Sequence, residues 1–348
     1  MTGTLLVVEG VGWDFMTTLF RIPDEAPLVG AVSFGLIDRG TNVIQVRPST
    51  SCPLSCIFCS TDAGPNCRRR ISEYEVGLEH LVEWFKELAR LKGCDVEAHI
   101  DTVGDPFMYP NLVELVARLS DVKAVSTISM QTHGFLMNEK VVEELAEAGL
   151  DRINLSIDAM DPLLAKRLCG TEGYSVEKVI ANAIYAIDNT SIDILLAPVL
   201  VRPLNDSEME PLINLAKKIG AGKRWPALGI QKCEFHRFGR RSKEIKRDNW
   251  YGFYKCMRAL EQKTGMKLVL RPTDFGIKSA ASVAAPFRVG EKVGVRIIGP
   301  GWFKGESLGV TKDNAWAVTV VGEELEWEQD VRIRLLRTKD NIIMGRPS

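Results

Sequence analysis

The chain has 348 residues, 45% of them hydrophobic and 26% charged, a mixture that excludes collagen, low-complexity sequence and disorder. With 44 Lys and Arg against 45 Asp and Glu the net charge is -1, which excludes a globally basic protein that coats nucleic acid by charge alone. No stretch approaches the ~18 uninterrupted apolar residues of a membrane span, and the opening MTGTLLVVEGVGWDF lacks the basic start of a signal peptide. A cytoplasmic, reducing location is therefore expected, where the eight cysteines serve as ligands, reactive thiols or small hydrophobes.

Residues 1–42 form a β-prone N-terminal extension whose strands are not assigned by pattern. Residues 43–282 alternate short apolar runs with amphipathic stretches, the signature of repeated βα units around a parallel sheet. Val43 to Val46 is the first strand. Ser72 and Glu75 read as a capping box opening a helix that carries Leu78, Leu81, Val82, Phe85, Leu88 and Ala89 on one face and stops at Gly93. Further strands are expected over Val96 to Val103, Ala124 to Met130, Arg152 to Ile157, Ile192 to Leu200 and Leu228 to Phe235. The helices between them fall near Pro110 to Ser120, Asn138 to Ala148, Ser175 to Asp188 and Ser207 to Ile219. About six units result, fewer than a closed eight-unit barrel, so a partial barrel is expected with its chemistry at the strand C-termini. In residues 286–348 the helical period disappears. Glycines become frequent and Val331, Ile333 and Leu335 alternate with Arg332 and Arg334, as in a half-buried strand. A small antiparallel β-barrel of about five strands fits this texture.

Cys52, Cys56 and Cys59 read C-PLS-C-IF-C, so one short loop after the first strand offers three soft sulfurs to one metal centre. Three ligands leave one iron of a four-iron cluster open to an exogenous chelate. Here the chain resembles the radical S-adenosylmethionine (SAM) superfamily, whose hallmark is C-x3-C-x2-C after the first strand of a partial barrel. The resemblance implies a partial (βα)6 barrel, a 4Fe-4S cluster on the three cysteines, SAM chelated to the open iron, and a 5'-deoxyadenosyl radical formed by one-electron cleavage. It also implies an external one-electron donor such as ferredoxin or flavodoxin, and it places Phe58 beside the adenine. V-G-D-P, with Gly104, Asp105 and Pro106, stands where the family has G-E-P to receive the SAM amino group; Asp105 is one methylene shorter than the usual Glu. SMQTHG resembles the third-strand segment and makes Gln131, Thr132 and His133 SAM-pocket residues, and INLSIDAMDP brings Ser156 to the ribose. Two readings of the cysteines stay open: a four-thiolate zinc site that adds Cys67, and a role as small hydrophobes for Cys94, Cys169, Cys233 and Cys256. His99 reads as a hydrogen-bonded interior group, and His133 as a loop residue bordering the cofactor.

The last 60 or so residues resemble a TRAM domain, a small RNA-binding barrel of several RNA-modifying enzymes, on glycine spacing and the segment VGEKVGVRI. That resemblance implies a backbone-tracking and stacking surface from Arg332, Arg334 and Arg337 with Trp302, Phe303 and Trp316. Near the expected strand ends lie two basic runs, Arg68 to Arg70 and a loop with Arg237, Arg240, Arg241 and Lys243, which would focus positive potential at the mouth of a neutral chain. The combination favours a nucleoside in tRNA or rRNA as substrate. RNA methylthiotransferases also join a radical SAM core to a TRAM domain, but the 51 residues before Cys52 contain none of the extra cluster cysteines of that class. No cobalamin-binding domain fits this N-terminal region, and radical C-methylation or a nucleoside rearrangement both stay open. The alternatives are a radical SAM enzyme acting on a peptide, protein or small metabolite, and a non-catalytic RNA-binding protein with a structural metal.

Overall fold

A computed structural model describes residues 17–348; residues 1–16, which include the whole opening stretch MTGTLLVVEGVGWDF, lie outside the described residues. The elements run β1 (Thr18–Arg21), β2 (Gly35–Asp38), β3 (Val43–Arg47), β4 (Ser72–Glu75), α1 (Leu78–Lys92), β5 (Val96–Ile100), α2 (Leu112–Ser120), β6 (Val125–Thr132) and α3 (Glu139–Glu147). They continue with β7 (Arg152–Leu155), α4 (Pro162–Cys169), α5 (Val176–Asn189), β8 (Asp193–Leu196), β9 (Val199–Leu200), α6 (Met209–Ile219), β10 (Gln231–Lys232) and α7 (Trp250–Thr264). The main sheet has the order β2-β3-β5-β6-β7-β8. Its strands from β3 onward are parallel, while β2 closes one edge antiparallel to β3, so part of the N-terminal extension belongs to the sheet. Beyond β8 a single parallel bridge, Leu196 to Leu228, and the parallel pair β9 and β10 carry the curve one strand position further. The result is an open partial barrel. Ile44, Val46, Ala98, Ile100, Ile128, Met130, Ile153, Leu155, Ile194 and Leu196 are buried because helices cover the outer face of the sheet while the barrel interior is closed by its own side chains.

Several expectations are corrected. Ser72 and Glu75 do not cap a helix; they bound β4, which pairs in parallel with β1. Polar tertiary partners decide this, since Thr50 Oγ1 accepts the Tyr74 N–H at 2.8 Å and buried Glu73 pairs with Arg70 at 2.9 Å. α1 starts later, behind Gly77 and without a side-chain cap, and ends at left-handed Gly93 as expected. The strand expected over Leu228 to Phe235 reduces to β10. Two helices went unassigned: α4, capped by Asp161 with Pro162 in its first turn, and α7, capped by Asn249. Among the described residues no helix is long and apolar enough to cross a membrane.

β11 (Lys292–Pro300), β12 (Glu306–Thr311), β13 (Ala317–Val321), β14 (Asp330–Arg337) and β15 (Met344–Pro347) form a closed barrel in the order β11-β12-β13-β15-β14. It departs from a purely antiparallel barrel at one seam, where β13 and β15 run parallel. Its interior holds Val295, Ile297, Leu308, Val318, Ile333 and Leu335. The barrel is joined to the sheet domain by main-chain bonds. Ile71 N–H donates to the Trp302 carbonyl, and Lys304 N–H donates to that of Arg69, each at 3.1 Å; Tyr74 Oη donates to Pro300 at 2.9 Å.

Candidate active site at the strand ends

The loop after β3 carries Cys52 and Cys56, both buried, and Cys59, partly exposed; all are free thiols. Burial first, then the Asp105 carboxyl and the other two loop thiols, raise the Cys52 thiol. Cys56 is raised by its contact with Cys169 and by burial, and opposed by His133. These sulfurs share one electrostatic neighbourhood, yet among the described residues the four loop cysteines form no metal-sized group with donors within 4.8 Å of one another. Tetrahedral zinc, with Zn–S bonds of about 2.3 Å, needs such convergence. Burial first, then the charges of Glu73 and Asp62, raise the Cys67 thiol, opposed by Arg70 and Arg240. Three soft thiolates on one loop fit an iron–sulfur cluster on Cys52, Cys56 and Cys59, and the four loop thiols are not gathered as one tetrahedral zinc requires.

Two arginines shape this loop. Arg240 donates through Nη1 to the Cys56 carbonyl at 2.8 Å, through Nη2 to Ala63 at 2.6 Å and through Nε to Asp62 at 2.9 Å, and its backbone N–H donates to the Cys59 carbonyl at 2.7 Å. Arg70, with no exposed side-chain surface, donates to the carbonyls of Thr50, Thr61 and Val103 and to Glu73. Both were expected to meet RNA, and both instead brace the cysteine loop because their donors are engaged. The opposite flank is held by the end of α4, where Ser55 and Ile57 N–H donate to the Cys169 and Leu168 carbonyls at 2.9 and 3.0 Å. Gly170, at φ 61°, is required there: a Cβ would lie 2.1 Å from the Ser55 oxygen.

A cavity of about 340 Å³ opens beside the loop, lined by His99, Asp101, Thr102, Gly104, Gln131, Thr132, His133, Ser156, Val199 and Gln231. Five of the expected SAM-pocket residues, Gly104, Gln131, Thr132, His133 and Ser156, thus share one wall system. Gln131 Nε2 donates to Ser156 Oγ at 2.7 Å, and Ser156 donates to the Ala197 carbonyl at 3.2 Å. Phe58, Asp105 and Pro106 are not on this wall. The Asp105 carboxylate instead accepts from Thr132 Oγ1 at 2.9 Å and from the Phe107 and His133 N–H groups, tying the end of β5 to that of β6. One methylene shorter than Glu, it is buried at the junction of the two strand ends.

Sequence reasoning missed two features. Cys169, read as a small hydrophobe, lies with Cys56 Sγ and a His133 nitrogen in a set of donors within 4.8 Å of one another. His133 Nε2 is 3.8 Å from Cys56 Sγ, and its Nδ1 faces buried Asp158 Oδ2 at the same distance. The Cys169 role carries no local sequence signal; it arises because α4 docks its last residue on the loop. The second is the polar inner wall. Ser129 donates its single proton to Glu97 at 2.5 Å, so the 2.7 Å contact of His99 Nδ1 with Ser129 Oγ is a donation from the imidazole. Burial lowers the His99 pKa, keeping the ring neutral with Nε2 as a free acceptor toward the cavity.

A partial barrel with three soft ligands on the loop after its first parallel strand, beside a polar cavity at the strand ends, is the architecture of an enzyme that pairs a metal cluster with a bound organic co-substrate. The chain belongs to the radical SAM superfamily, whose family profile it matches over residues 46–216. Members use a 4Fe-4S cluster and SAM. The chain is 39% identical over 344 residues to an uncharacterized protein of Methanocaldococcus jannaschii, covering 93% of this chain and 79% of that one. It is 29% identical over 181 residues to a GTP 3',8-cyclase of Peptoclostridium acidaminophilum, and spans about half the length of that relative (52%) and half of itself (51%). A crystal structure of a radical SAM methyltransferase from Sphaerobacter thermophilus superposes with a TM-score of 0.50 at 16% identity, covering 66% of this chain and 65% of that one, a likeness of fold.

Proposed function

We propose that the protein is a radical SAM enzyme that modifies a nucleoside within tRNA or rRNA. The observation that carries the substrate class is the strap between β10 and α7. Its N-terminal half is anchored to the cysteine loop through Arg240, and its C-terminal half reaches the mouth at β9 and β10, where Lys246 N–H donates to the Arg202 carbonyl at 2.8 Å. Along it Arg241, Lys243, Lys246 and Arg247 are exposed, followed on α7 by exposed Trp250, Tyr251 and Tyr254, a pairing of cations and aromatic faces suited to a nucleic-acid strand. Arg332, Arg334 and Arg337 present a second basic face on β14, the part of the TRAM-like reading retained in this proposal. Trp302, Phe303 and Trp316 are not stacking residues in it, being 6%, 7% and 5% exposed.

Cys52, Cys56 and Cys59 would hold the cluster, which when bound would supply one-electron reduction of SAM beside the cavity. The residues of this chain then do the rest. Gln131 and Ser156 offer polar contacts for a ribose or amino-acid moiety, and Gly104 lets the β5 end approach the loop, since a Cβ would meet the Ser51 and Thr50 oxygens at 2.1 and 2.4 Å. His99 Nε2 and Asp101 offer acceptors to donor groups of a base or sugar. Anaerobic reconstitution with iron, sulfide, SAM and dithionite is expected to release 5'-deoxyadenosine, and Cys56→Ala to abolish it. Mass spectrometry of nucleosides from cells with and without the gene is expected to show one nucleoside missing. An unchanged nucleoside profile with intact 5'-deoxyadenosine release would transfer the assignment to a peptide or small-molecule substrate.

A further inference from the structure

Where the N-terminal end of the strap meets the cysteine loop and the small barrel lies a second cationic group that the RNA proposal does not use. Cys59 is partly exposed and Ser60, the next residue, is exposed, so the metal-ligand loop reaches the surface here. Gly239 lies against the carbonyls of Cys59 and Ser60, where a Cβ would meet them at 3.0 and 2.9 Å. Around this point three segments converge. Arg69 Nη1 donates to the Arg237 carbonyl at 2.7 Å, Lys304 N–H donates to Arg69, and the Phe238 and Phe303 rings stack with centroids 4.7 Å apart. Arg68, Arg69, Arg237 and Lys304 are all exposed, and none has an ion-pair partner among the described residues. Asp62 is paired with Arg240 and Glu73 with Arg70, while Glu306, 4% exposed, accepts the Phe303 N–H and lies within electrostatic reach of Arg237. Glu324, whose carboxylate accepts the Gly305 N–H at 3.2 Å, is the acidic neighbour on the barrel side.

From this geometry we infer that Arg68, Arg69, Arg237 and Lys304 form the docking surface for an acidic one-electron carrier protein that delivers its electron across the Cys59–Ser60 surface of the loop. Electron transfer between proteins weakens steeply with distance, so a carrier must sit where the ligand loop meets solvent. Four exposed cations without an ion-pair partner among the described residues steer a negatively charged partner to that point and hold it briefly, a charge complementarity that acts mainly on the rate of encounter. The balance is simple: the reduced carrier loses one electron, the metal site gains it, and no bond is made or broken. The inference requires an external reductant and is independent of the RNA proposal.

The test uses reconstituted full-length enzyme, reduced flavodoxin as the carrier, and dithionite as a small reductant that needs no docking. For the Arg68→Glu/Arg237→Glu variant, the affinity for oxidised flavodoxin measured by surface plasmon resonance is expected to fall at least tenfold. The flavodoxin concentration giving half-maximal 5'-deoxyadenosine release is expected to rise by a similar factor, while the dithionite-driven rate stays within twofold of wild type. In wild type the flavodoxin-driven rate is expected to fall as NaCl rises, with the dithionite-driven rate unchanged. Unaltered flavodoxin affinity and kinetics in the variant would overturn the inference, whatever happens to RNA binding; loss of RNA binding with unaltered flavodoxin kinetics would assign these cations to RNA.

Discussion

Arginine is suited to bracing a metal loop because its planar guanidinium offers several fixed donors and stays charged, so one side chain can hold several carbonyls at once. Arg70 and Arg240 use this to hold the stretch from Thr50 to Ala63. Buried carboxyls here behave in the opposite way, and Glu306 gives a pH-dependent consequence. Burial raises its pKa to about 7, from 4.5, against the smaller opposing effects of the Phe303 N–H that its carboxylate accepts and of the Arg237 charge. Below the unfolded value both states are protonated and nothing is lost. As pH rises from 4.5 through 7 the unfolded chain releases the proton first, so stability falls, and above 7 the loss is constant. The full interval corresponds to on the order of 3 kcal/mol. Glu306→Gln keeps an acceptor for Phe303 and removes the charge. Its melting temperature is expected to pull ahead of wild type progressively between about pH 4.5 and 7; parallel melting curves across that range would contradict this.

At the scale of elements, the C-terminal barrel is part of the wall of the metal loop. The turn between β11 and β12 sets Trp302 under Arg70, with the guanidinium 4.5 Å from the ring centroid, and joins the loop by the Ile71, Arg70 and Arg69 main-chain contacts. Trp302 is therefore expected to matter for the loop as well as for stability. Trp302→Ala should cost about 3–5 kcal/mol as a buried-aromatic deletion and lower iron bound per chain after reconstitution. Trp302→Phe keeps a ring under Arg70 and removes a buried indole N–H that has no partner, so it should retain iron near the wild-type level. Equal iron content in all three proteins, by colorimetric assay, would show that the turn does not support the loop. This junction was not legible in the sequence. The parallel strands β3, β5, β6, β7 and β8, the helix beginning at Asn138 and the stop at Gly93 were, because apolar runs and helix-end chemistry are local. The cysteine loop was legible because its spacing is itself the site. β4 was misread because its polar residues satisfy one another across the fold, and α7 was hidden by exposed Trp250, Tyr251 and Tyr254, which blur an amphipathic period. Trp302, Phe303 and Trp316 looked like stacking residues because composition does not reveal which face of a small barrel is docked.

For the whole molecule, a net charge of -1 coexists with a strongly polarised surface. Between His236 and Arg258 the sequence holds Arg237, Arg240, Arg241, Lys243, Lys246, Arg247, Lys255 and Arg258 against Glu244 and Asp248. Those two acids are themselves paired, with Arg167 and with Arg202 at 3.0 Å, and Arg240 is neutralised by Asp62. The remaining cations project a local positive field that distant acidic helices offset only in the total, and over more than about 10 Å that offset is screened by salt. If Arg241, Lys243, Lys246 and Arg247 contact the phosphates of a single strand, each contributes roughly -0.7 to the slope of log affinity against log salt. Raising NaCl from about 50 to 200 mM should then weaken RNA binding roughly fifty-fold. Lys243→Glu/Arg247→Glu should flatten that slope by about half while leaving flavodoxin-driven 5'-deoxyadenosine release intact, because the two cationic groups occupy opposite ends of the strap. A salt slope unchanged by the substitution, measured by fluorescence anisotropy on a tRNA, would remove the strap from the RNA contact. Failure of the wild type to bind any cellular RNA at about 50 mM NaCl would remove RNA itself, since non-specific electrostatic affinity should already be evident there.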